Sequence, residues 1–279
     1  MNEQGHVDTH LTVIEPIASW GFIDMRELAR YRDLLYFMIW RSIKVAYAQS
    51  IGGIAWAMVQ PALQVIVFSL IFGGLLAVDT GEIPYPLLST VAVIPWSYMS
   101  STMGGASSSL VTNASILGKI YFPRVIFLIT PVVGNLISFS VSSVLIVAVL
   151  LYYGVGVNLQ MLYLPFVFLL MMLTPLSIAL WLSSLAIRFR DVRIIMNYIM
   201  RLFIYLVPVM YPSEKIPPEF RDIYILNPFV GVIEGFRSCL LGHPMMWDSL
   251  LTSAAVTTFL LFTGGVYFRR MERVIVDVI

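Results

Sequence analysis

The chain has very few charged residues. Asp, Glu, Lys and Arg make up 12% of its 279 residues, and four long stretches, 54–78, 83–118, 125–187 and 249–268, carry none. Hydrophobic residues reach 59% and the mean hydropathy is +0.86, which excludes a soluble globular protein. Because a bilayer core needs ~20 apolar residues per helix, the sequence predicts an all-α, polytopic membrane protein.

Patterns that would carry catalysis or metal binding are also missing. The single cysteine, Cys239, cannot form an internal disulfide, and the three histidines have no metal-ligand spacing to it. The sequence contains no GxxxxGKS or GxxxxGKT, no HExxH and no GxSxG, so we expect no nucleotide, metal or other cofactor in this chain. A net charge of +1 gives no electrostatic reason to expect nucleic acid.

Positive charges are distributed unevenly along the predicted topology. We place six spans at about 54–78, 83–105, 125–153, 161–187, 194–211 and 249–268. Of the 17 Lys and Arg residues, 13 then fall on one face, Lys215, Arg221 and Arg237 fall on the other, and Arg201 lies within a span. The positive-inside rule therefore predicts that both termini are cytoplasmic. The first four spans and the sixth lack the carboxylates expected of an ion-coupled carrier, so energy must come from another subunit.

The chain divides into three regions. Residues 1–23 are predicted to form a flexible cytoplasmic arm, 24–45 an amphipathic helix in the membrane interface, and 46–279 the transmembrane domain. At about 100° per residue, the helix has an apolar stripe and a charged side. The stripe consists of Leu28, Tyr31, Leu35, Met38, Ile39 and Ser42, and the charged side of Arg26, Arg30, Asp33, Arg41 and Lys44.

The segment 212–248, between the fifth and sixth spans, is rich in proline. It contains two pieces of helical length, 218–226 and 229–242, that are too short to cross a bilayer. We expect them to lie at the outer surface or to dip into the membrane as re-entrant helices, where protein or water must cover any irregular backbone.

Short motifs recur from about residue 27 to residue 270. They are Glu27-Leu28, Tyr31 to Leu35, Tyr47 to Ser50, Gly52, Trp56, Gln60-Pro61, Pro95-Trp96, Asn113, Lys119 to Arg124, Arg188 to Asp191, Pro208 to Pro212, Ile216-Pro217 and Leu226 to Pro228. In this order and placement they resemble the membrane subunit of ABC-2 type exporters. The branch they resemble most is that of the polysaccharide and polyol-phosphate export permeases, which serve O-antigen, capsule or teichoic acid.

The resemblance implies a homodimer in the inner membrane of a bacterium, docked on two copies of a cytoplasmic P-loop ATPase that binds ATP and Mg. It further implies a coupling helix at 113–119, which enters a cleft of the ATPase: Asn113, Ala114, Ser115, Ile116, Leu117, Gly118 and Lys119. Tyr31, Arg32 and Asp33 are candidate ATPase contacts on the amphipathic helix, although a plain interfacial anchor explains its stripe equally well. Arg188, Arg190 and Asp191 are further candidates, but positive-inside bias alone also explains the two arginines.

A path for a polysaccharide needs flat apolar surfaces with polar handles, which aromatic side chains provide. The candidates on spans 1, 2 and 5 are Trp56, Trp96, Tyr98, Tyr198, Phe203 and Tyr205, although Trp and Tyr also belong at membrane interfaces and Phe in cores. Arg201 is a candidate for binding the phosphate of a lipid-linked glycan, or it snorkels to the cytoplasmic surface. Arg41 and Lys44 are alternative contacts for the lipid headgroup.

The two short helices between spans 5 and 6 would form an outer gate. Its candidate residues are Pro217, Pro218, Asn227, Pro228, Glu234 and Arg237. Glu234 and Arg237 are spaced to pair as i,i+3 neighbours, or they form a surface pair of little energetic value.

The predicted function is ATP-driven export of a lipid-linked polysaccharide, of O-antigen or capsular type, from the cytoplasm across the inner membrane. A teichoic acid exporter and an ABC-2 exporter of small molecules or drugs are alternatives within transport. A membrane-embedded transferase would need intramembrane histidine or carboxylates, which these spans lack. A membrane scaffold would not need the coupling loop.

Overall fold

The computed structural model describes residues 25–48, 52–117, 122–189 and 191–278. The predicted arm at 1–23, and Gly118, Lys119 and Arg190, lie outside the described residues. Within the described ranges the chain is helical and contains no strand, which confirms the all-α prediction.

Eleven α-helices follow one another in the described part of the chain. They are α1 (Met25–Arg30), α2 (Arg32–Tyr47), α3 (Trp56–Phe68), α4 (Tyr85–Thr112), α5 (Ala114–Leu117), α6 (Val125–Tyr152), α7 (Leu164–Arg188), α8 (Asp191–Phe203), α9 (Pro218–Ile225), α10 (Pro228–Leu241) and α11 (Trp247–Val278). A 3₁₀ turn, Gly53–Ala55, precedes α3, and a π-helix, Ser69–Leu75, extends it. Further 3₁₀ turns are Leu159–Tyr163, Ile204–Leu206 and Ser213–Lys215.

Four of these helical stretches are long and apolar enough to cross a membrane. They are Gly53–Leu75, Val125–Tyr152, Leu159–Arg188 and Trp247–Glu272. A fifth results if α9 and α10, bent by 98° relative to one another, are counted as one broken span. The chain is therefore a multi-pass protein with four to five candidate spans among its described residues, and the count of six stays a prediction.

Helix α4 accounts for much of the difference between the six predicted spans and the four to five candidate spans of the structure. It is 28 residues long and continues to Thr112, beyond the predicted end near residue 105. Its C-terminal half is rich in Gly and Ser, which lowers hydropathy but lets neighbouring helices approach closely. A Cβ added at Gly105 would lie 3.2 Å from Pro131 in α6. Because α4 is enclosed by protein over most of its length, it does not need the apolar surface of a lipid-facing span.

Helix α10 is the most deeply enclosed short element. All residues from Pro228 to Leu240 are buried, against α4, α7 and α11. A Cβ at Gly231 would lie 2.2 Å from the Ser249 carbonyl oxygen, and one at Gly235 would lie 3.0 Å from Val167. These two glycines let α10 pack directly on α11 and α7. Helix α10 thus lies inside the protein, and the re-entrant course of the segment in a membrane stays a prediction.

The amphipathic helix α2 lies along α6. A Cβ at Gly134 would come within 3.0 Å of the Ser42 hydroxyl, so this contact is close. The predicted apolar stripe faces a group of buried residues that we call the basal cluster. The basal cluster comprises Leu110, Phe122, Val125, Ile126, Phe127, Leu128, Leu180 and Phe268, and Leu28, Tyr31, Leu34, Leu35 and Met38 pack against it.

Candidate functional site

A cavity of about 800 Å³ lies between α3, α4, α6 and α8, beside the end of α2. Its walls combine aromatic rings with small polar groups, and Arg201 is its only charged lining residue among those described. The aromatic lining residues are Tyr47, Trp56, Phe68, Trp96, Tyr98, Phe139 and Tyr205. The polar lining residues include Gln60, Gln64, Ser97, Ser100, Ser101, Asn135 and Ser138.

Four of the six predicted path aromatics line this cavity. Trp56 and Tyr205 are exposed, whereas Trp96 and Tyr98 contribute small parts of otherwise buried side chains. The other two do not line it: Tyr198 is exposed elsewhere on α8, and Phe203 packs edge-on against Phe229 with ring centroids 5.7 Å apart. Part of the predicted set of aromatics therefore lies together in one cavity, and its role as a substrate path stays a prediction.

The amide and hydroxyl groups of the cavity were not predicted. Gln60 and Gln64 lie four residues apart in an otherwise apolar helix, so they share one face of α3. Ser97, Ser100 and Ser101 have the same helical spacing on α4. This spacing was a usable signal, because uncompensated polar groups on one side of a span indicate a face that avoids lipid.

Hydrogen bonds between helices hold the cavity walls in place. The Ser142 hydroxyl donates to the Ala57 carbonyl (2.6 Å), which joins α6 to α3. The Tyr98 hydroxyl donates to the Val132 carbonyl (2.7 Å), joining α4 to α6. The Tyr47 hydroxyl lies 2.5 Å from that of Ser138, which joins α2 to α6. Helix α6 is therefore the shared back wall of the cavity.

The candidate phosphate contacts are separated in the structure. Arg201 is exposed, lines the cavity and lies over the Tyr198 ring, 6.0 Å from its centroid. Arg41 and Lys44 are exposed on α2 and do not belong to the cavity lining. Of the three, Arg201 alone is placed where it could meet a ligand inside the cavity.

We call α9 and α10, the two helices of the predicted outer gate, the outer hairpin. Each of its helices begins with proline. Pro217 precedes α9 and Pro218 is its first residue; both are exposed. Pro228, the first residue of α10, is buried. Asn227 caps α10, because its side-chain oxygen accepts the Phe229 N–H at 3.2 Å. Its side-chain amide also donates to the Leu206 carbonyl at 3.1 Å. This bond connects the hairpin to the end of the α8 segment, by which we mean α8 and the 3₁₀ turn Ile204–Leu206 that follows it.

Glu234 and Arg237 form a buried ion pair, so the surface-pair alternative is wrong. The guanidinium donates to the Glu234 carboxylate at 2.8 Å, and the two side chains are only 9% and 5% exposed. The Ser213 hydroxyl donates to the same carboxylate oxygen (2.5 Å), and Arg237 also donates to the Tyr211 carbonyl (3.3 Å). The Nε and Nη2 groups of Arg237 have no hydrogen-bond partner among the described residues.

An exposed ion pair joins two loops that are predicted to lie on the outer side. The Lys215 ammonium donates to the Asp79 carboxylate at 2.7 Å. This hydrogen bond, a second one from the Gly81 N–H, and the charge of Lys215 lower the pKa of Asp79 below its ordinary value. The link between the first two spans is therefore held against the segment before α9.

The predicted ATPase contacts lie at the other end of the molecule's helices, around the basal cluster. Arg32 and Asp33 are almost fully exposed and lie 3.7 Å apart, whereas Tyr31 is half-buried. Arg188 lies over the Phe189 ring at 5.6 Å, and Asp191 begins α8 on the exposed side.

The predicted coupling segment follows α4 directly. Residues Ala114–Leu117 form α5, with Ser115 exposed. Asn113 donates its side-chain amide to the Ser109 carbonyl (2.8 Å), a bond that closes the end of α4. The described residues contain no group of three or more His, Cys, Asp or Glu that could hold a metal ion.

Comparison with known proteins adds a family to this geometry. Residues 33–241 match the model of the family described as ABC-2 type transporter. An O-antigen export system permease protein RfbA from Myxococcus xanthus is 29% identical over 254 residues, which cover 89% of this chain and 96% of that protein.

More distant relatives have related names. A protein of the same name from Klebsiella pneumoniae is 26% identical over 84% of this chain and 89% of its own length. The polysialic acid transport protein KpsM of Escherichia coli is 21% identical over 83% of this chain and 91% of its own length.

Proposed function

Since the chain belongs to the ABC-2 type transporter family and is the permease of a polysaccharide exporter, we propose that it moves a lipid-linked glycan outward across the bacterial inner membrane. The cargo proposed first is of O-antigen type, because the relatives from two genera carry that name. Capsular polysaccharide and teichoic acid are the alternatives within polymer export. A small-molecule or drug exporter is the alternative outside it.

The observation that carries this proposal is the composition of the 800 Å³ cavity. Sugar rings present flat apolar faces and many hydroxyls, and a sliding polymer requires contacts that are weak and repeated. Aromatic faces with hydroxyl or indole handles supply the first kind of contact. Hydrogen-bond donors and acceptors without fixed charge are supplied by the amides of Gln60, Gln64 and Asn135 and by the neighbouring serines. A drug site would instead be largely apolar.

Arg201 is proposed to meet the phosphate of the lipid-linked glycan. Its guanidinium can bind a phosphate through two parallel hydrogen bonds, and it lines the cavity beside Tyr205. Snorkelling to the membrane surface is the alternative. If Arg201→Gln leaves export intact at normal abundance, the phosphate role is excluded.

The proposed assembly is a homodimer of six-span subunits with both termini in the cytoplasm. Helix α4 and the α8 segment are the proposed fifth and sixth spans. They are not among the four stretches that are long and apolar enough to be recognised as spans by length and composition. Large apolar side chains on the outward faces of α3 and α8 support a second copy as their cover, for example Leu63, Ile66, Leu70, Tyr198 and Leu202. Membrane lipid would cover the remainder.

The energy is proposed to come from two copies of a separate P-loop ATPase, which bind ATP and Mg. The coupling segment 113–119 and the exposed Arg32, Asp33, Arg188 and Asp191 are the proposed docking residues. Their exposure and clustering around one end of the helices support this assignment. The chain itself is proposed to carry out no covalent chemistry.

The outer hairpin of α9 and α10 is the proposed exit gate. The buried Glu234–Arg237 pair fixes the position of α10, and Asn227 connects the hairpin to the α8 segment at Leu206. Movement of α8 would therefore reach the hairpin directly.

The test is co-purification of this chain with a candidate P-loop ATPase, followed by ATP hydrolysis with and without lipid-linked glycan. We expect a stable 2:2 complex whose hydrolysis rate changes when the glycan is added. Gln60→Leu combined with Gln64→Leu should abolish that response, while Val59→Leu, on an exposed position of the same helix, should not. A complex that responds to hydrophobic drugs and not to glycan would overturn the proposed cargo.

A further inference from the structure

We infer that Glu272, near the end of the last helix, positions the segment that follows the coupling loop and transmits its movement to α11. The inference rests on the proposed function, because it assumes that an ATPase pushes on residues 113–119. It assigns a role in coupling to a residue outside every predicted docking element.

The contacts of this glutamate include three interactions. The Glu272 Oε1 atom accepts the backbone N–H of Arg124 at 3.2 Å. The Arg124 guanidinium donates back to the Glu272 backbone carbonyl. The second carboxylate oxygen, Oε2, lies 3.6 Å from Nη1 of Arg269, one helical turn earlier.

The Arg269–Glu272 pair is sheltered from water, unlike the Arg32–Asp33 pair at the same end of the molecule. The side chains of Arg269 and Glu272 are 15% and 12% exposed. Those of Arg32 and Asp33 are 83% and 96% exposed. Because solvent screens exposed pairs strongly, Glu272 can fix a position where Asp33 cannot.

The carboxylate also lies where the backbone of α6 needs a partner. Arg124 immediately precedes α6, so its N–H belongs to the group of donors left without intrahelical acceptors at a helix start. A negative charge at that end is further favoured by the helix dipole. Glu272 therefore caps α6 from a helix 148 residues further along the chain.

Both ends of the coupling loop rest on the same apolar group. Leu110, near the end of α4, and Phe122, just before α6, belong to the basal cluster together with Phe268 of α11. A displacement of the loop thus acts on α11 in two ways, through Phe268 by packing and through Glu272 by hydrogen bonding. Of the two, only the Glu272 contact has the directionality to transmit a pull as well as a push.

The experiment measures export and ATP hydrolysis in the assembled complex with Glu272→Ala and Glu272→Gln. We expect the Ala variant to hydrolyse ATP at a normal rate but to export about tenfold less glycan per ATP, the factor expected for one lost hydrogen bond to a charged group. The amide oxygen of the Gln variant can still accept the Arg124 N–H. Its export of glycan per ATP should therefore lie between the values of wild type and the Ala variant. Asp248→Asn, at the opposite end of α11, is the matched control and should behave as wild type.

Three outcomes would overturn the inference. The first is a normal export-to-hydrolysis ratio in the Ala variant. The second is a parallel loss of both activities, which indicates a purely structural role. The third is failure of both Glu272 variants to assemble with the ATPase, which indicates a folding role. If wild type itself shows no glycan-dependent hydrolysis, the proposed function fails instead, so the two failures are distinguishable.

Discussion

Helices α8 and α10 are nearly equal in length, 13 and 14 residues, yet their surroundings are opposite. No described side chain of α8 is buried, and Tyr198 and Leu202 are each 64% exposed. In α10 every residue up to Leu240 is buried, including an ion pair. Length therefore does not decide whether a short helix becomes part of the core.

The difference originates in small side chains. Gly231 and Gly235 let α10 touch two neighbouring helices along its backbone. Helix α8 meets α4 and α7 through flexible residues such as Met196 and Met200, beside a further cavity of about 170 Å³. Close packing holds α10 in one position, whereas α8 makes few close contacts and has a large apolar face that is exposed in the single subunit. If the cavity is the proposed substrate path, we expect α8 rather than α10 to be its movable wall.

The largest expected effect is that of filling the glycine contact of α10. Gly231→Leu places a side chain where the Ser249 carbonyl oxygen is already 2.2 Å from the position of a Cβ. We expect this overpacking to exceed the usual cost of about 3 kcal/mol and to abolish the folded state, seen as loss of folded protein in membranes. Gly104→Ala is the control, because nothing lies within 4 Å of that Cβ position. Wild-type abundance of Gly231→Leu would contradict the close packing of α10.

The next effect in size is that of breaking the buried ion pair. Glu234→Ala leaves the Arg237 charge buried without its partner, at a cost of about 3–5 kcal/mol. The loss should appear as a lower midpoint of thermal unfolding in detergent. Since two Arg237 donors already lack partners, the double variant Glu234→Leu, Arg237→Met should regain most of that loss. Asp33→Ala, in the exposed pair with Arg32, should leave the midpoint unchanged.

A pair of identical substitutions compares the two helices directly. Ile233→Ala in α10 removes a fully buried side chain and should cost about 2–5 kcal/mol of stability. Ile195→Ala in α8 removes a side chain that is 53% exposed and should leave the stability of the single subunit nearly unchanged. Ile195→Ala should instead weaken the association of two copies, measured by cross-linking in membranes. Equal losses of stability in both variants would remove the distinction between α8 and α10.

The smallest expected effect concerns the exposed link between the outer loops. Because the pKa of Asp79 is lowered in the folded protein, the pair stabilises the fold at pH values above the ordinary Asp pKa of 3.8. This stabilisation is lost as the pH falls through the lowered value. Asp79→Asn should lower the unfolding temperature by no more than about 2 °C at pH 7, and the difference from wild type should shrink as the pH falls below 3.8 and through the lowered pKa. A difference that grows on acidification would contradict the assignment.

The sequence was sufficient to predict the long apolar helices, the amphipathic α2 and the family, because each depends on local periodicity or short motifs. It was insufficient for the C-terminal end of α4, because the Gly and Ser residues after 104 resemble a loop until neighbouring helices enclose them. Hydropathy measures exposure to lipid and does not register close contact between helices.

The candidate site was predictable only where local patterns carry it. The aromatics of the cavity stood out by type, and Gln60 and Gln64 could have been found by their spacing. The burial of Glu234 and Arg237 could not be predicted from the sequence, since it depends on Ser213 and Tyr211, more than twenty residues away. The contact between Arg124 and Glu272 spans 148 residues and leaves no local signature.

The packing of Gly231 against Ser249 and Ser253 has a consequence for biogenesis. The chain is synthesised from its N-terminus, so α10 leaves the ribosome before the helix that covers its glycine face exists. Until α11 has inserted, the Gly231 N–H lacks the Ser253 hydroxyl as its acceptor, and α10 can pack only against α4 and α7. The packing of α10 is therefore completed only after α11 has inserted, which makes it a late step in the maturation of each subunit.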